Sequence, residues 1–304
     1  MPSAELRKSL GYLNWLFNPV HGLDVGRIYD LLSTSSATES GLYLNLGYWR
    51  DAANIDEASE ALAMRVAESA GIGAGDTVLD CGFGFADQDM LWARSLQPAR
   101  IIGLNITESQ VVLARERVAA AGLDDRIELH HGSATEMPVE SGSIDKVVAL
   151  ESAFHFRTRE RFFAEAWRVL RPGGRLVTAD IIPMPPADGA RLRLRQRVSW
   201  WLVASKFAIP AGNVYTMSGY RSRLAACGFD QVRVESIRDD VYEPLHRYLR
   251  VTPQCLRRLH PIARLPARMA LRSEAADVYA GLDYVLATAV KPDCARPARR
   301  PQAR

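Results

Sequence analysis

Two side chains near the middle of the chain have the chemistry to move a proton. Glu151 and His155 stand four residues apart in the run Glu151-Ser152-Ala153-Phe154-His155-Phe156, and an imidazole with an unperturbed pKa of about 6.5 is a base at neutral pH. Upstream, Asp80-Cys81-Gly82-Phe83-Gly84-Phe85-Ala86 puts an acid just before two glycines. Gly82 and Gly84 let the backbone come close to a ligand. Asp80 suits the ammonium group of an amino-acid moiety and is awkward beside a pyrophosphate. A dinucleotide turn has its third glycine or alanine where this chain has Asp87, which is unfavourable for the same reason. The turn therefore favours a cationic ligand, and nicotinamide-dependent dehydrogenase chemistry is disfavoured.

Further polar groups follow at regular places. In Gly103-Leu104-Asn105-Ile106-Thr107, the Asn105 amide can accept hydrogen bonds from ribose hydroxyls, less strongly than a carboxylate. Gly132-Ser133-Ala134-Thr135-Glu136-Met137-Pro138 makes another loop after a short apolar run. Glu151 and His155 are two potential metal ligands, which do not establish a metal site. Cys81, Cys227, Cys255 and Cys294 lie far apart without a C-x-x-C pair, so neither zinc nor a disulfide framework is expected.

To bring these groups together, the chain needs a layered α/β architecture. Short β-branched runs alternate with helical stretches from Asp76 to Lys291, which predicts a parallel sheet covered by helices on both faces. The strands are expected at Thr77–Asp80, Arg100–Asn105, Ile127–His131, Lys146–Glu151, Arg175–Asp180, Gln231–Ile237 and Asp283–Val290. Helices are expected over Ala86–Leu96, over Thr107–Ala121 with Thr107 as cap and Gly122 as stop, and over Arg159–Leu170, ended by Pro172-Gly173-Gly174. In an open parallel sheet the carboxyl ends of the strands line the ligand crevice, and the polar residues above fall there. Residues 1–57 form an amino-terminal segment, 58–291 the core, and 292–304 a Pro-, Ala- and Arg-rich tail expected to be disordered. Insertions at 183–228 and 239–281 are where acceptor specificity is expected.

With 304 residues, 48% hydrophobic, the chain can bury one full core plus appendages. A net charge of +3 is too small to point to nucleic acid. Asn14, Asn18 and His21 interrupt the apolar stretch near Leu10–Leu23, so no secretory leader is expected. No run approaches the roughly 20 apolar residues of a membrane span. The expected setting is a reducing cytoplasm.

Taken in order, Asp80-x-Gly82-x-Gly84, Gly103-x-Asn105, Gly132-Ser133-Ala134-Thr135, Leu150-Glu151-Ser152-Ala153-x-His155 and Leu170-Arg171-Pro172-Gly173-Gly174 resemble the class I S-adenosylmethionine (SAM)-dependent methyltransferases. Within that class the chain is similar to natural-product O-methyltransferases of the erythromycin sugar type. Tyr43-Leu44-Asn45-Leu46-Gly47-Tyr48-Trp49 and Ala179-Asp180-Ile181-Ile182-Pro183 match as well, so the likeness spans roughly residues 40 to 290. The resemblance implies a Rossmann-like sheet of seven strands, the last antiparallel, and SAM as cofactor. It places Asp80, Gly82 and Gly84 at the methionine part of SAM, Asn105 at the ribose, and Ser133 and Ala134 at the adenine, with Ile106, Gln110 and Glu151 joining the cofactor site. Asn105 and Ser133 depart from the acidic residues usual at their positions.

For catalysis the resemblance puts His155 at the methyl-transfer crevice, with packing between Phe154 and Phe156 as the alternative. Glu151 would orient His155, contact the acceptor or share a metal with it. Tyr43, in a segment that closes over the crevice in related enzymes, would hold or deprotonate the acceptor or pack in the core. The stretch Gly189–Phe207, with Arg191, Arg193, Arg195, Arg197 and Lys206 beside Trp200 and Trp201, reads as a solvated helix, a site for an anionic acceptor, or a face for an anionic membrane. The expected reaction is methyl transfer to a small molecule, at a hydroxyl of a secondary metabolite or its sugar. The alternatives are C-methylation of an anionic lipid or isoprenoid diphosphate, cyclopropane formation on lipids, and a non-catalytic SAM-binding module. Self-association stays open.

Overall fold

The computed structural model describes residues 9, 11–15, 28, 38–257 and 260–293. Most of the expected amino-terminal segment before residue 38, and the expected tail beyond residue 293, lie outside the described residues. The core opens with helix α1, Ile55–Ala70. Asn54 caps it by accepting from the Glu57 amide at 3.0 Å, and Gly71, at φ 65°, ends it. Strand β1, Thr77–Cys81, is followed by α2, Asp87–Ser95; β2, Arg100–Asn105, by α3, Glu108–Ala120. Then come β3, Ile127–His131; β4, Ile144–Leu150; a short 3-10 turn, Ala153–His155; and α4, Arg159–Val169. Strand β5, Leu170–Pro183, leads into α5, Ala190–Lys206, a second 3-10 turn, Ala211–Asn213, and α6, Met217–Ala226. Strand β6, Asp230–Ser236, precedes the short helices α7, Tyr242–Val251; α8, Gln254–Arg257; α9, Pro261–Ala270; and α10, Ala275–Val278. Strand β7, Leu282–Val290, closes the core.

The seven strands form one sheet in the order β3-β2-β1-β4-β5-β7-β6. β1 to β5 pair in parallel, and β7 runs antiparallel to both β5 and β6, as the resemblance implies. Successive strand residues point to opposite faces. Val78, Ile101, Val148 and Val177 pack in one hydrophobic cluster with α1 and Trp92, whereas Leu79, Ile102, Val147 and Leu176 pack in the other with Phe162 and Phe163.

Several element ends shift by one or two residues from expectation, and larger differences arise at β5 and at the α3 cap. β5 starts at Leu170, which pairs with Ile144, and the irregularity before the Lys146–Arg175 pair absorbs Arg171–Gly174. Pro172-Gly173-Gly174 therefore lies within the strand's span rather than after a longer helix. Thr107 stands at the α3 cap position, but its side chain makes no cap bond; instead its amide donates to Asn105 Oδ1 at 3.0 Å.

Candidate active site

The carboxyl ends of β1, β2, β3 and β4 surround a cavity of about 490 Å³. Its wall includes Gly82, Gly84, Asn105, Ile106, Gln110, Ser133, Ala134, Glu151 and His155, so the structure brings most of the residues singled out in the sequence to one place. The glycines have a role that the sequence did not reveal. Gly82 is at φ 95°, and a Cβ there would lie 2.4 Å from the Ser152 Cβ. At Gly84, φ 58°, it would meet Leu44 at 3.3 Å. Both glycines admit neighbouring protein, and by doing so let the β4 turn and the amino-terminal segment close on the β1 turn.

Asn105, 6% exposed, is tightly committed. Its amide donates to Gln110 Oε1 at 2.9 Å and to the Gly84 carbonyl at 3.3 Å, and its own oxygen holds the Thr107 amide. Gln110 is 2% exposed, and its Nε2 has no hydrogen-bond partner among the described residues. A buried amide donor left open on a cavity wall can be met by an acceptor on a ligand or by an ordered water. Ser133 Oγ is engaged within its own loop by the Thr135 hydroxyl at 2.9 Å and the Thr135 amide at 3.2 Å.

Glu151 follows β4 at φ 48°. Its Oε1 accepts from the Leu46 amide at 2.6 Å and from the Tyr284 hydroxyl at 2.7 Å. Burial raises its pKa from 4.5 to about 7, against the pull of these two donors and with help from Asp180. His155 is 6% exposed at the end of the 3-10 turn, its ring 4.0 Å from that of Phe154. Burial lowers its pKa to about 3. A hydrogen bond to the Phe207 carbonyl works against this shift, and the Arg159 cation adds to it. The ordinary histidine pKa expected from the sequence is thus corrected: a ring withdrawn from water loses the solvation of its charged form. The result is a neutral imidazole with a ring N–H held by the Phe207 carbonyl.

The methyltransferase-domain family matches residues 79–178. Over 275 residues, the chain is 38% identical to erythromycin 3''-O-methyltransferase of Saccharopolyspora erythraea, covering 87% of this chain and 89% of that enzyme. It is 31% identical to the 27-O-demethylrifamycin SV methyltransferase of Amycolatopsis mediterranei, over 89% of this chain and 97% of that one. The chain belongs to the class I SAM-dependent methyltransferases. In fold it is similar to geranyl diphosphate C-methyltransferase from Streptomyces coelicolor A3(2), with TM-score 0.62 and 17% identity over 95% of this chain and 98% of that one. It is an enzyme that uses S-adenosylmethionine and methylates a small-molecule acceptor.

In this methyltransferase, other residues lie away from the cavity. Tyr43 is 7% exposed and sits in the core cluster, while Leu42, Leu44 and Asn45 around it line the wall. Burial, with Glu60 and Asp87 nearby, raises the Tyr43 pKa well above the ordinary phenol value. Asp80 is fully buried beneath the glycine turn. It accepts from Gln88 Nε2 at 3.0 Å and contacts Asp89, which is equally buried. Burial drives the pKa of both carboxyls upward, and the neighbouring Asp80 charge adds to the shift of Asp89. Gln88, which the sequence reading passed over, is the member of this group that lines the cavity.

Asp87 does not face the cofactor side. It pairs with Arg117 through bonds of 2.5 and 2.8 Å and accepts from the Leu42 amide at 3.1 Å, tying the amino-terminal segment down. Arg191, Arg193, Arg195 and Arg197 are exposed on α5 and none lines the cavity; Arg195 pairs with Asp277. Arg157 and Arg161 do line it. Among the described residues, no helix is long and apolar enough to cross a membrane, and no three His, Cys, Asp or Glu side chains gather as a metal site.

Proposed function

We propose that this enzyme methylates a hydroxyl oxygen of a secondary metabolite or of a sugar it carries, with His155 as the base. The observation that carries the reading is the buried, neutral imidazole of His155 on the same cavity wall as the glycine turn. The two relatives with O-methyltransferase or demethyl-substrate names support the choice of oxygen.

The chemistry of the wall fits SAM. Gln110 Nε2 offers a buried donor in need of an acceptor, beside Asn105, and Ile106, 52% exposed, offers an apolar face. We assign Gly82, Gly84, Asn105, Ile106, Gln110, Ser133, Ala134 and Glu151 to cofactor contact, with Asp80 acting through Gln88. SAM supplies an electrophilic methyl group. As a hydroxyl oxygen acquires that methyl its proton becomes strongly acidic, so a weak base suffices if it is neutral and correctly placed. The Phe207 carbonyl fixes which nitrogen of His155 keeps its hydrogen, and the other takes the proton. Glu151 turns Oε1 toward Leu46 and Tyr284, leaving its second oxygen for the donors of a ligand. Residues 38–57 act as a lid, with Leu42, Leu44 and Asn45 on its inner side. Tyr43 supports that lid from the core and has no contact with the acceptor.

The setting consistent with this chemistry is the cytoplasm, where the free thiols Cys81, Cys227 and Cys255 stay reduced. Calorimetry with SAM and S-adenosylhomocysteine, followed by transfer of a labelled methyl group to a panel of hydroxylated macrolides and ansamycins, tests the reading. Labelling of an oxygen, lost in His155→Ala with cofactor binding intact, is the expected result. Labelling of carbon, or full activity of the variant, overturns it.

A further inference from the structure

The turn that carries His155 is held from both ends. In front, Ser152 Oγ donates to the Cys81 carbonyl at 2.5 Å, and the His155 amide donates to the Ser152 carbonyl at 3.0 Å. Behind it stands Asn213, 0% exposed, on the second 3-10 turn. Its Nδ2 donates to the carbonyls of Phe154 and Phe156, both at 2.9 Å, and its Oδ1 accepts from the Arg159 amide at 2.9 Å. Both amide hydrogens and the oxygen are thus spent on the backbone around one residue.

Asn213 is itself fixed. Arg159, fully buried, donates through Nη1 to the Asn213 carbonyl at 2.5 Å, through Nε to Asp180 Oδ2 at 2.8 Å, and through Nη2 to the Ile181 carbonyl at 2.8 Å. The Tyr220 hydroxyl completes the group with a 3.0 Å bond to the same Asp180 oxygen. This network connects the insertion after β5 to the strand that the insertion leaves. The ring of His155 meets that insertion as well, through the carbonyl of Phe207.

We propose that Asn213 is a positioning residue for His155. By gripping the peptide before His155 and the one after Phe156, it sets the direction of the imidazole in the cavity, and the Arg159–Asp180 pair holds Asn213 in place. The inference rests on the reading of His155 as the base. A packing role would require an apolar or small side chain here; three directed bonds around one turn orient it instead.

The test needs no acceptor. Protein labelled with 15N-histidine, saturated with S-adenosylhomocysteine, is followed by NMR from pH 5 to 8, with the His155 signal among the six histidines assigned by its loss in His155→Ala. The wild-type ring is expected in one neutral tautomer without titrating. In Asn213→Ser, which keeps one donor, and Asn213→Asp, which keeps none, the ring nitrogens should move toward tautomer averaging. The titration should climb by about two pH units or more, entering the scanned range above pH 5, as the loosened ring reaches water. A wild-type ring that already averages or titrates near 6.5 overturns the inference. So does either folded variant whose ring signals match the wild type. Failure of the base reading shows separately, as methyl transfer undiminished in His155→Ala, and it removes the other leg of the inference.

Discussion

The Tyr284 hydroxyl lies 2.7 Å from Glu151 Oε1, linking the antiparallel last strand to the residue that follows β4 at the cavity wall. The same oxygen takes the Leu46 amide, so one carboxylate atom joins the segment before α1, the core and the last strand. Tyr284→Phe removes the donor and keeps the shape. We expect a loss of about 1–2 kcal/mol and a fall in Tm of several degrees in calorimetry. A Tm unchanged at both pH 6 and pH 8 would show that the bond contributes nothing.

Glu151 predicts a pH dependence of stability. Its folded pKa of about 7 is above the ordinary 4.5. Between these values the unfolded chain gives up the proton that the folded one retains. Stability from this group is therefore full below about pH 4.5, falls as the pH rises, and is lost above about 7. Glu151→Gln keeps an acceptor for Leu46 and Tyr284 without the charge. At pH 8 it should be roughly 2 kcal/mol more stable than the wild type, after allowing for screening at the cavity wall, and at pH 5 nearly equal. Equal differences at both pH values would contradict this.

His155 carries the opposite sign. With its folded pKa lowered to about 3, the imidazole is neutral throughout the working range. The pH–rate profile should lack the acid limb near about 6.5 that an ordinary histidine base gives. A limb close to 7 belongs to Glu151 and should disappear in Glu151→Gln. His155→Ala should reduce kcat by about 100- to 10,000-fold with cofactor affinity kept within about threefold. An acid limb near 6.5 surviving in Glu151→Gln would refute the neutral-base assignment.

Asn105→Asp tests the ribose side. A carboxylate can still hold the Thr107 amide, and the Gln110 amide can turn so that its open Nε2 donates to it. A charged acceptor binds donors more strongly than an amide, so S-adenosylhomocysteine should bind about five- to tenfold tighter by calorimetry. Weaker binding would mean that the Asn105 donor, rather than its oxygen, is what the cofactor site requires.

The sheet was readable because its inner strands are buried on both faces, and runs such as Thr77–Asp80 and Arg100–Asn105 carry that burial in their composition. All seven strands fall where the pattern puts them, with β5 extended because Leu170 finds Ile144 across the irregularity. The cavity residues at the strand ends were legible for the same reason. Residues that act through contacts distant in sequence were not. Tyr43 was a chemically attractive side chain, but only packing decides that it turns into the core while Leu42 and Leu44 face the cavity. Tyr284 looks like any aromatic strand residue until β7 runs beside β5. The low pKa of His155 comes from burial under Phe154 and Phe207, which no local spacing encodes. One signal was present: Gln88 and Asp89, two polar residues in the first turn of an otherwise buried helix, had no reason to be there unless they served the turn beside them.

The bond from His155 to the Phe207 carbonyl, with Asn213 six residues further on, means that the insertion after β5 holds both the ring of His155 and the turn that carries it. Core and insertion are therefore not interchangeable modules. A chimera that grafts the 183–228 segment of a relative must bring along its own carbonyl and amide for the imidazole. Otherwise it loses the carbonyl that holds the His155 ring and the amide that grips the backbone around it.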